Sequence, residues 1–175
     1  MTVEDELFSR HRGKSVLLDS NLLLLFLTGA HSPSLIPRFK RVSSFSIDDY
    51  ELLERFLSGF SLLITTPHVL TEVSNLANSL PQPAKSDWFE SFAQVLALQE
   101  SIPGVRERLI PADEIVDTPE FVAFGITDAG LAILGNEALI VTEDYRLAGS
   151  LRKKGIDILN FGDLRLLLGK NSASQ

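Results

Sequence analysis

The chain contains no cysteine, and this absence excludes several kinds of chemistry at once. A disulfide framework, a thiolate nucleophile and a cysteine-ligated zinc site all need that residue. A metal ion would have to be held by oxygen atoms or by the three histidines, His11, His31 and His68. Any metal site in this chain is therefore a site of oxygen or imidazole ligands.

Long hydrophobic runs are also missing, and cationic residues are in the minority. Asp19 and Asn21 break the richest apolar stretch, so no window reaches the roughly 20 apolar residues of a membrane span. Residues 1–6 are acidic and unlike a signal peptide, and we expect a cytoplasmic protein. The net charge of -7 argues against a surface uniformly attracted to phosphate. It leaves open a nucleic acid that is held through bound cations or a local basic patch.

The composition is that of one globular domain. With 45% hydrophobic and 22% charged residues, the chain lies within the range of folded proteins and outside that of disordered ones. Its 175 residues suffice for a core that buries roughly 70% of the surface of the unfolded chain, and they are few for two cores. We predict a single domain over residues 1–175, with a core of about 15–168 and a polar tail at 169–175.

Residues 16–27, VLLDSNLLLLFL, join two apolar runs through one carboxylate and two small polar residues. The pattern predicts a buried strand of about Ser15–Leu18 that turns directly into a helix, Ser20–Leu27, ended near Gly29. Asp19 would then lie at the carboxyl end of the strand, where open α/β sheets bind ligands. Helix capping is the commoner role of an aspartate in this position.

Short strands alternate with helices along the rest of the chain. This order predicts an α/β protein, a three-layer α/β/α sandwich with a central parallel sheet. Residues 1–14 are predicted as a lead-in to the first strand, and residues 30–45, which lack periodicity, as a mobile surface loop. The remaining predicted strands are 61–65, 108–111, 138–142 and 156–159, and the remaining predicted helices are 46–59, 67–80, 87–101, 118–124, one from about 128, 145–154 and 163–168.

Four carboxylates fall at places that this architecture would bring together. They are Asp19 after the first strand, Glu72 one and a half turns into the helix after the second, Asp128 at a helix start, and Asp144 after the strand at 138–142. We expect their side chains to converge, because the carboxyl ends of neighbouring parallel strands share one edge of a sheet. Unpaired carboxylates would repel one another, so the cluster needs a cation, and their hard oxygens suit Mg²⁺ or Mn²⁺.

Plainer roles are open for each of these acids. Asp128 and Asp144 are equally suited to the first turn of a helix, where a negative charge favours the helix dipole. Glu72 stands close to the buried face of its helix, although an exposed glutamate fits that angle too. His68 precedes Glu72 by four residues, but this is not the zinc-binding HExxH spacing, and we leave it out of the metal site.

Four segments carry these acids, and they occur in the order VLLDSNLLL, TTPHVLTEVSNL, GITDAGLAIL and LIVTEDYRLAGSLRKKGIDILNF. Together they resemble the PIN domain, the nuclease fold of many prokaryotic toxins and RNA-processing enzymes. The resemblance covers about Val16–Asp163. It implies an α/β/α sandwich and an Mg²⁺- or Mn²⁺-dependent endoribonuclease that hydrolyses RNA by metal-activated water. For a toxin, it also implies an antitoxin protein as partner.

The resemblance assigns the metal-binding and catalytic roles to Asp19, Glu72, Asp128 and Asp144. Asn21 and Thr142 would orient ligands or water by hydrogen bonds, although a helix start and a strand end are equally ordinary places for them. Two features depart from the family. Residues 30–45 and the helix around Trp88 make the chain larger than its smallest members, and Glu143 adds a charge where an uncharged polar residue is common.

Other functions compete with this one. The alternative is a non-catalytic PIN-like module that binds RNA or a protein and keeps the acids for structure. A phosphatase with Asp19 as nucleophile is a third choice, disfavoured because Asn21 stands where that chemistry uses a second aspartate. The apolar residues within 52–57 and 88–98 either join two chains into a homodimer or fill the core.

Overall fold

A five-stranded parallel sheet with flanking helices forms the part of the chain, residues 2–97 and 103–172, that the computed structural model describes. The strands are β1 (Ser15–Leu18), β2 (Leu62–Thr65), β3 (Gly104–Glu107), β4 (Leu139–Thr142) and β5 (Ile158–Asn160). The helices are α1 (Val3–His11), α2 (Ser20–His31), α3 (Ile47–Leu57), α4 (Pro67–Ala77), α5 (Ala84–Ala97), α6 (Ala112–Val116), α7 (Pro119–Phe124), α8 (Ile126–Ile133), α9 (Tyr145–Lys153) and α10 (Phe161–Ser172). The predicted three-layer α/β/α fold class is confirmed.

The strand order explains where a site can form. It is β3-β2-β1-β4-β5, with every neighbouring pair parallel. From β1 the chain moves outward through β2 to β3, and it then crosses back to β4 on the other side of β1. Connections of opposite direction leave a crevice at the carboxyl ends of the two central strands, which is where open α/β sheets bind ligands.

The central strands β1 and β4 are apolar apart from their end residues Ser15 and Thr142, because both of their faces are covered. Val16, Leu17 and Leu18 of β1 are at most 1% exposed, and all of β4 is buried. Leu17 lies opposite Ile140 in the register of the two strands. Such unbroken apolar runs are typical of parallel strands between two helical layers. They make β1 and β4 a rigid base for the residues that follow them.

The prediction of a mobile loop at 30–45 is wrong. Helix α2 continues to His31, and a 3₁₀ helix follows at Pro33–Arg38. Gly29 lies inside α2 and does not end it. A β-carbon at this position would come within 2.1 Å of the Tyr50 ring, which explains why a glycine is found there. The glycine thus permits close packing of α2 against α3. The segment contributes four buried side chains to the core, namely Ile36, Phe39, Val42 and Phe45.

Smaller corrections apply at both ends of the chain. The lead-in at residues 1–14 is largely the helix α1, capped by reciprocal hydrogen bonds between Thr2 and Asp5. Helix α10 extends to Ser172, so most of the predicted polar tail is helical in its backbone. Residues 173–175 lie outside the described residues.

Two corrections concern the middle of the chain. The predicted strand at 108–111 is wrong, because β3 precedes it at Gly104–Glu107, and α6 had no counterpart in the prediction. The helix expected at 87–101 begins at Ala84, and residues 98–101 lie outside the described residues.

The apolar helices considered for dimer formation are mostly part of the core. Leu53 and Leu57 of α3 are wholly buried, and Trp88 of α5 is 1% exposed. The Trp88 indole N–H donates a hydrogen bond to the Thr28 hydroxyl of α2. These residues therefore fill the interior of the chain. In the same described part, no helix combines the length and the apolar character that crossing a membrane requires.

Candidate active site

A cleft of about 470 Å³ opens at the carboxyl edge of the sheet. Its floor follows β1 and β4, and its walls come from α4 and from the α7–α8 junction. All four predicted acids and both predicted polar residues border it: Asp19, Asn21, Glu72, Asp128, Thr142 and Asp144. His68 does not border it within the described part of the chain. The structure therefore gathers in one cleft the side chains that the sequence places on four separate elements.

Asp19 is the most tightly held of the acids. It is 7% exposed, and its Oδ1 accepts the Leu22 N–H at 2.8 Å as the N-cap of α2. Its Oδ2 accepts the Thr142 hydroxyl at 2.7 Å and the Glu143 N–H at 2.8 Å. Burial raises the pKa of Asp19, and the charge of Glu72 adds to this, while these three hydrogen bonds oppose it. Asp19 is thus a helix cap and a cleft residue at once.

Ser20, which was not among the predicted site residues, connects Asp19 to the wall of the cleft formed by α4. Its hydroxyl donates a hydrogen bond to Oε2 of Glu72 at 2.9 Å. Ser20 is buried, whereas Glu72 is exposed to the cleft. The hydrogen bond fixes a long glutamate side chain that would otherwise sample many rotamers. Its only sequence signal is a small polar residue directly after Asp19.

Asp128 is an acid whose pKa is changed both by burial and by the neighbouring acids. It lies in the first turn of α8 and is half-buried. Burial, followed by the charges of Asp19, Glu72 and Asp144, raises the pKa of Asp128 to about 7. The charges of three other acids that border the cleft therefore add to the effect of burial on Asp128. Near neutral pH this carboxylate exchanges a proton readily and would be stabilised by a cation.

Asp144 caps α9 in the way that the sequence suggests. Its Oδ1 accepts the N–H groups of Arg146 at 2.7 Å and Leu147 at 3.2 Å. Its own N–H donates to the Thr142 hydroxyl oxygen at 3.0 Å, so Thr142 links the two aspartates. Neither Oδ2 of Asp144 nor the side chain of Asn21 hydrogen-bonds to another described residue. These two groups are available to a ligand in the cleft.

Glu143 has a cation beside it that the sequence did not reveal. Arg165 of α10 lies over the adjacent rings of Phe45 and Phe161, with its guanidinium carbon 5.2 and 5.1 Å from their centroids. Its Nε is 2.7 Å from Oδ1 of Asp49, and its Nη2 is 3.9 Å from Oε1 of Glu143, although neither nitrogen is aligned for a hydrogen bond. Burial raises the pKa of Glu143, and the Arg165 charge opposes that rise. Arg165 therefore balances part of the extra negative charge at this edge of the cleft.

The acids border one cleft without forming a compact set of metal ligands. Within residues 2–97 and 103–172, no group of three or more Asp, Glu or His side chains is arranged to hold an ion directly. Mg²⁺ keeps several of its waters in proteins and binds directly to only one or two carboxylates. The donors here are hard carboxylate oxygens, and burial together with the charges of the neighbouring acids raises the pKa of Asp128. The set therefore suits a hydrated divalent cation reached partly through water.

Comparison with known proteins gives no relative for this chain. No known protein family, no curated protein and no solved structure matches it. The resemblance to the PIN domain consequently depends on the sequence segments themselves, and it stays a prediction. Function has to be argued from the cleft.

Proposed function

We propose that the chain is a PIN-like endoribonuclease that hydrolyses RNA phosphodiester bonds with Mg²⁺ or Mn²⁺. The observation that carries the proposal is the meeting of acids from four elements in one open cleft, with the pKa of Asp128 at about 7. Carboxylates that lie close together destabilise a fold by mutual repulsion unless a cation binds among them. Perturbed carboxylates in a cleft are also typical of catalytic sites.

The acids would divide the work according to how they are held. Asp19, Asp128 and Asp144 with Glu72 would hold the cation, which when bound supplies charge stabilisation at the phosphate and an activated water. Thr142 and Ser20 keep two of these carboxylates fixed by hydrogen bonds. Asp128 makes no such hydrogen bond among the described residues. Its side chain is therefore free to contact the cation or to accept the proton of the attacking water.

The resemblance supports RNA as the substrate, whereas the cleft supports the hydrolytic chemistry. A hard-oxygen site that uses a cation fits a phosphodiester, because Mg²⁺ binds phosphate oxygens and carboxylates together. The choice of RNA follows the PIN-like segments. A role as a toxin and an antitoxin partner are proposals on the same ground. Co-purification with the product of an adjacent small reading frame would support the partner.

The proposal is tested by incubating the purified protein with a mixed RNA pool and Mg²⁺ or Mn²⁺. We expect cleavage that stops when EDTA is added and resumes when the cation is restored. Because water is the nucleophile, an RNA with 2′-deoxyribose at the cut position should still be cleaved, and no 2′,3′-cyclic phosphate should form. Cleavage that continues in EDTA, or a cyclic product, would contradict the mechanism.

A non-catalytic PIN-like module is the second candidate. It is favoured by one observation, namely that no three acids of the described residues are arranged to hold an ion directly. Such a protein would bind a divalent cation and RNA without cutting the RNA. A melting temperature that rises with Mn²⁺, together with an RNA pool that stays intact under every cation tested, would identify it.

A further inference from the structure

The rim of the cleft carries an aromatic ring and a cation that the proposed hydrolysis does not use. We propose that Phe124 and Arg146 form a subsite for one unpaired nucleotide of a single-stranded nucleic acid. The inference deepens the proposed function and rests on it, because it places a nucleic acid strand in the same cleft. It concerns how the strand is selected and not how the bond is broken.

Phe124 is positioned by the junction between two helices. It is the last residue of α7, it is half-buried, and it borders the cleft four residues before Asp128. The next residue, Gly125, has φ of 86°, a left-handed conformation that glycine adopts without strain. This turn lets α8 begin at once, so the ring and the carboxylate face the same opening. An aromatic ring at this place offers a surface to a flat partner.

Arg146 supplies the charge that a phosphate needs. Its guanidinium carbon lies 5.7 Å from the centroid of the Phe124 ring. The residue is exposed, and its side chain makes no ion pair with the acids of the described chain, although Asp144 is only two residues away. Because the Arg146 guanidinium has no acidic partner, it can leave the Phe124 ring and bind a phosphate oxygen. A nucleotide base can then stack on the ring in its place.

Such a subsite would select single strands. In a duplex both faces of every internal base are covered by its neighbours, so an aromatic side chain cannot stack on it. Recognition through stacking tolerates any base, because each base has a flat π face. The subsite therefore predicts a preference for unpaired segments without a strong preference for sequence. Neither Phe124 nor Arg146 is among the acids assigned to the cation, so strand selection and catalysis depend on different side chains of the same cleft.

The experiment measures binding and cleavage on the same proteins. Binding is followed by fluorescence anisotropy with a labelled single-stranded RNA of about 12 nucleotides in Ca²⁺, with a gel to check that the strand stays intact. The variants are Phe124→Ala, Phe124→Leu and Arg146→Met. Matched controls are Val122→Ala, an exposed residue of the same helix α7, and Lys153→Met at the far end of α9. Circular dichroism and melting curves verify that each variant is folded.

We expect Phe124→Ala and Phe124→Leu to bind the single strand at least about fivefold more weakly than the wild type. Their weak binding to the annealed duplex should not change. Arg146→Met should weaken binding and reduce the slope of log affinity against log salt by about 0.7, the value for one phosphate contact on a single strand. Adenosine monophosphate, used as a competitor, should displace the strand poorly, since the subsite holds a nucleotide within a chain.

The inference is overturned if the Phe124 and Arg146 variants bind like Val122→Ala and Lys153→Met. It is also overturned if the duplex binds as tightly as the single strand, or if adenosine monophosphate competes as well as the strand. Binding of a protein, and of no nucleic acid, at Phe124 and Arg146 would overturn it as well. Cleavage separates the two proposals. A wild type that cleaves RNA while these variants bind normally refutes only the subsite, and specific losses of binding without any cleavage in Mn²⁺ refute only the nuclease.

Discussion

Replacement of Asp128 by asparagine should stabilise the cation-free protein, by an amount that grows as pH rises from about 4 to about 7. The pKa of Asp128 is about 7 in the folded protein, compared with 3.8 for an unperturbed aspartate. Between these values the folded state keeps a proton that the unfolded chain has lost. Stability therefore falls as pH rises from about 4 to about 7, and it stays low at higher pH. Asp128→Asn removes the charge and with it this loss.

The magnitude follows from the size of the shift. About three pKa units at 1.36 kcal/mol each give roughly 4 kcal/mol as an upper limit. Asp128 is partly exposed, and solvent screening reduces this to about 2 kcal/mol. In a domain of this size, about 1 kcal/mol moves the melting temperature by roughly 2–4 °C. Asp128→Asn should thus melt about 4–8 °C above the wild type at pH 8, and within about 2 °C of it near pH 4.

The assay is thermal unfolding in EDTA at pH 4, 6 and 8, followed by the same series with Mn²⁺. Mn²⁺ should raise the melting temperature of the wild type at pH 8 and raise that of Asp128→Asn less, because binding to the folded state adds stability. Asp87→Asn is the matched control, an exposed acid in the first turn of α5. A difference between Asp128→Asn and wild type that is the same at all three pH values, or a destabilised variant at pH 8, would refute the reasoning.

Three further substitutions test how the cleft is held. Asp19→Asn should lower the free energy of unfolding by about 1–3 kcal/mol, because its NH₂ group would face two hydrogen-bond donors, the Thr142 hydroxyl and the Glu143 N–H, that the carboxylate now binds. An unchanged midpoint of urea unfolding would contradict this. Asp144→Asn, which can still cap α9, should slow RNA cleavage at least about tenfold, roughly 1.4 kcal/mol, and Glu143→Gln should slow it less. Reversed rates would show that the wrong acid of this pair is assigned. Arg165→Met should cost about 1–2 kcal/mol in urea unfolding, since it leaves two acids without their shared cation, and a loss under about 0.3 kcal/mol would argue against that role.

The sequence was sufficient wherever structure depends on local patterns. The mainly apolar runs at 15–18 and 138–142 correspond to β1 and β4, because strands covered on both faces need apolar residues at most positions. The residues that cap the starts of helices were equally predictable from the sequence. Ser46 and Thr66 accept the N–H groups of Asp49 and Val69 at the starts of α3 and α4. The meeting of the four acids in one cleft followed from parallel strands sharing an edge.

Structural features that depend on contacts between distant residues could not be predicted from the sequence. The buried residues of the segment after α2 recur every third position, at 36, 39, 42 and 45, which suits a 3₁₀ helix and its neighbouring turns better than an α-helix or a strand. Proline and serine in that segment favoured a loop. Gly29 resembled a helix end, and only the nearby Tyr50 ring explains it. No local pattern marks Arg165, whose partners come from three other parts of the chain.

The candidate site was predictable in its residues and not in its geometry. Spacing alone could not show that Asp19 gives its oxygens to three hydrogen bonds. It also could not show that Ser20 holds Glu72, because that contact joins residues 52 positions apart. Hydrogen bonds of this kind decide which carboxylates remain free to meet a cation. Most of them are set by tertiary packing, of β4 beside β1 and of α2 against α4, which the sequence does not display.

The central claim is that this cleft hydrolyses RNA with a divalent cation and Asp128. The most direct measurement compares single-turnover cleavage of a labelled RNA by the wild type and by Asp128→Asn, each with Mn²⁺ and with EDTA, after both are shown to be folded. We predict cleavage by the wild type that requires Mn²⁺, and a rate for Asp128→Asn that is lower by at least about 100-fold. Equal rates for the two proteins, or wild-type cleavage that persists in EDTA, would contradict the account.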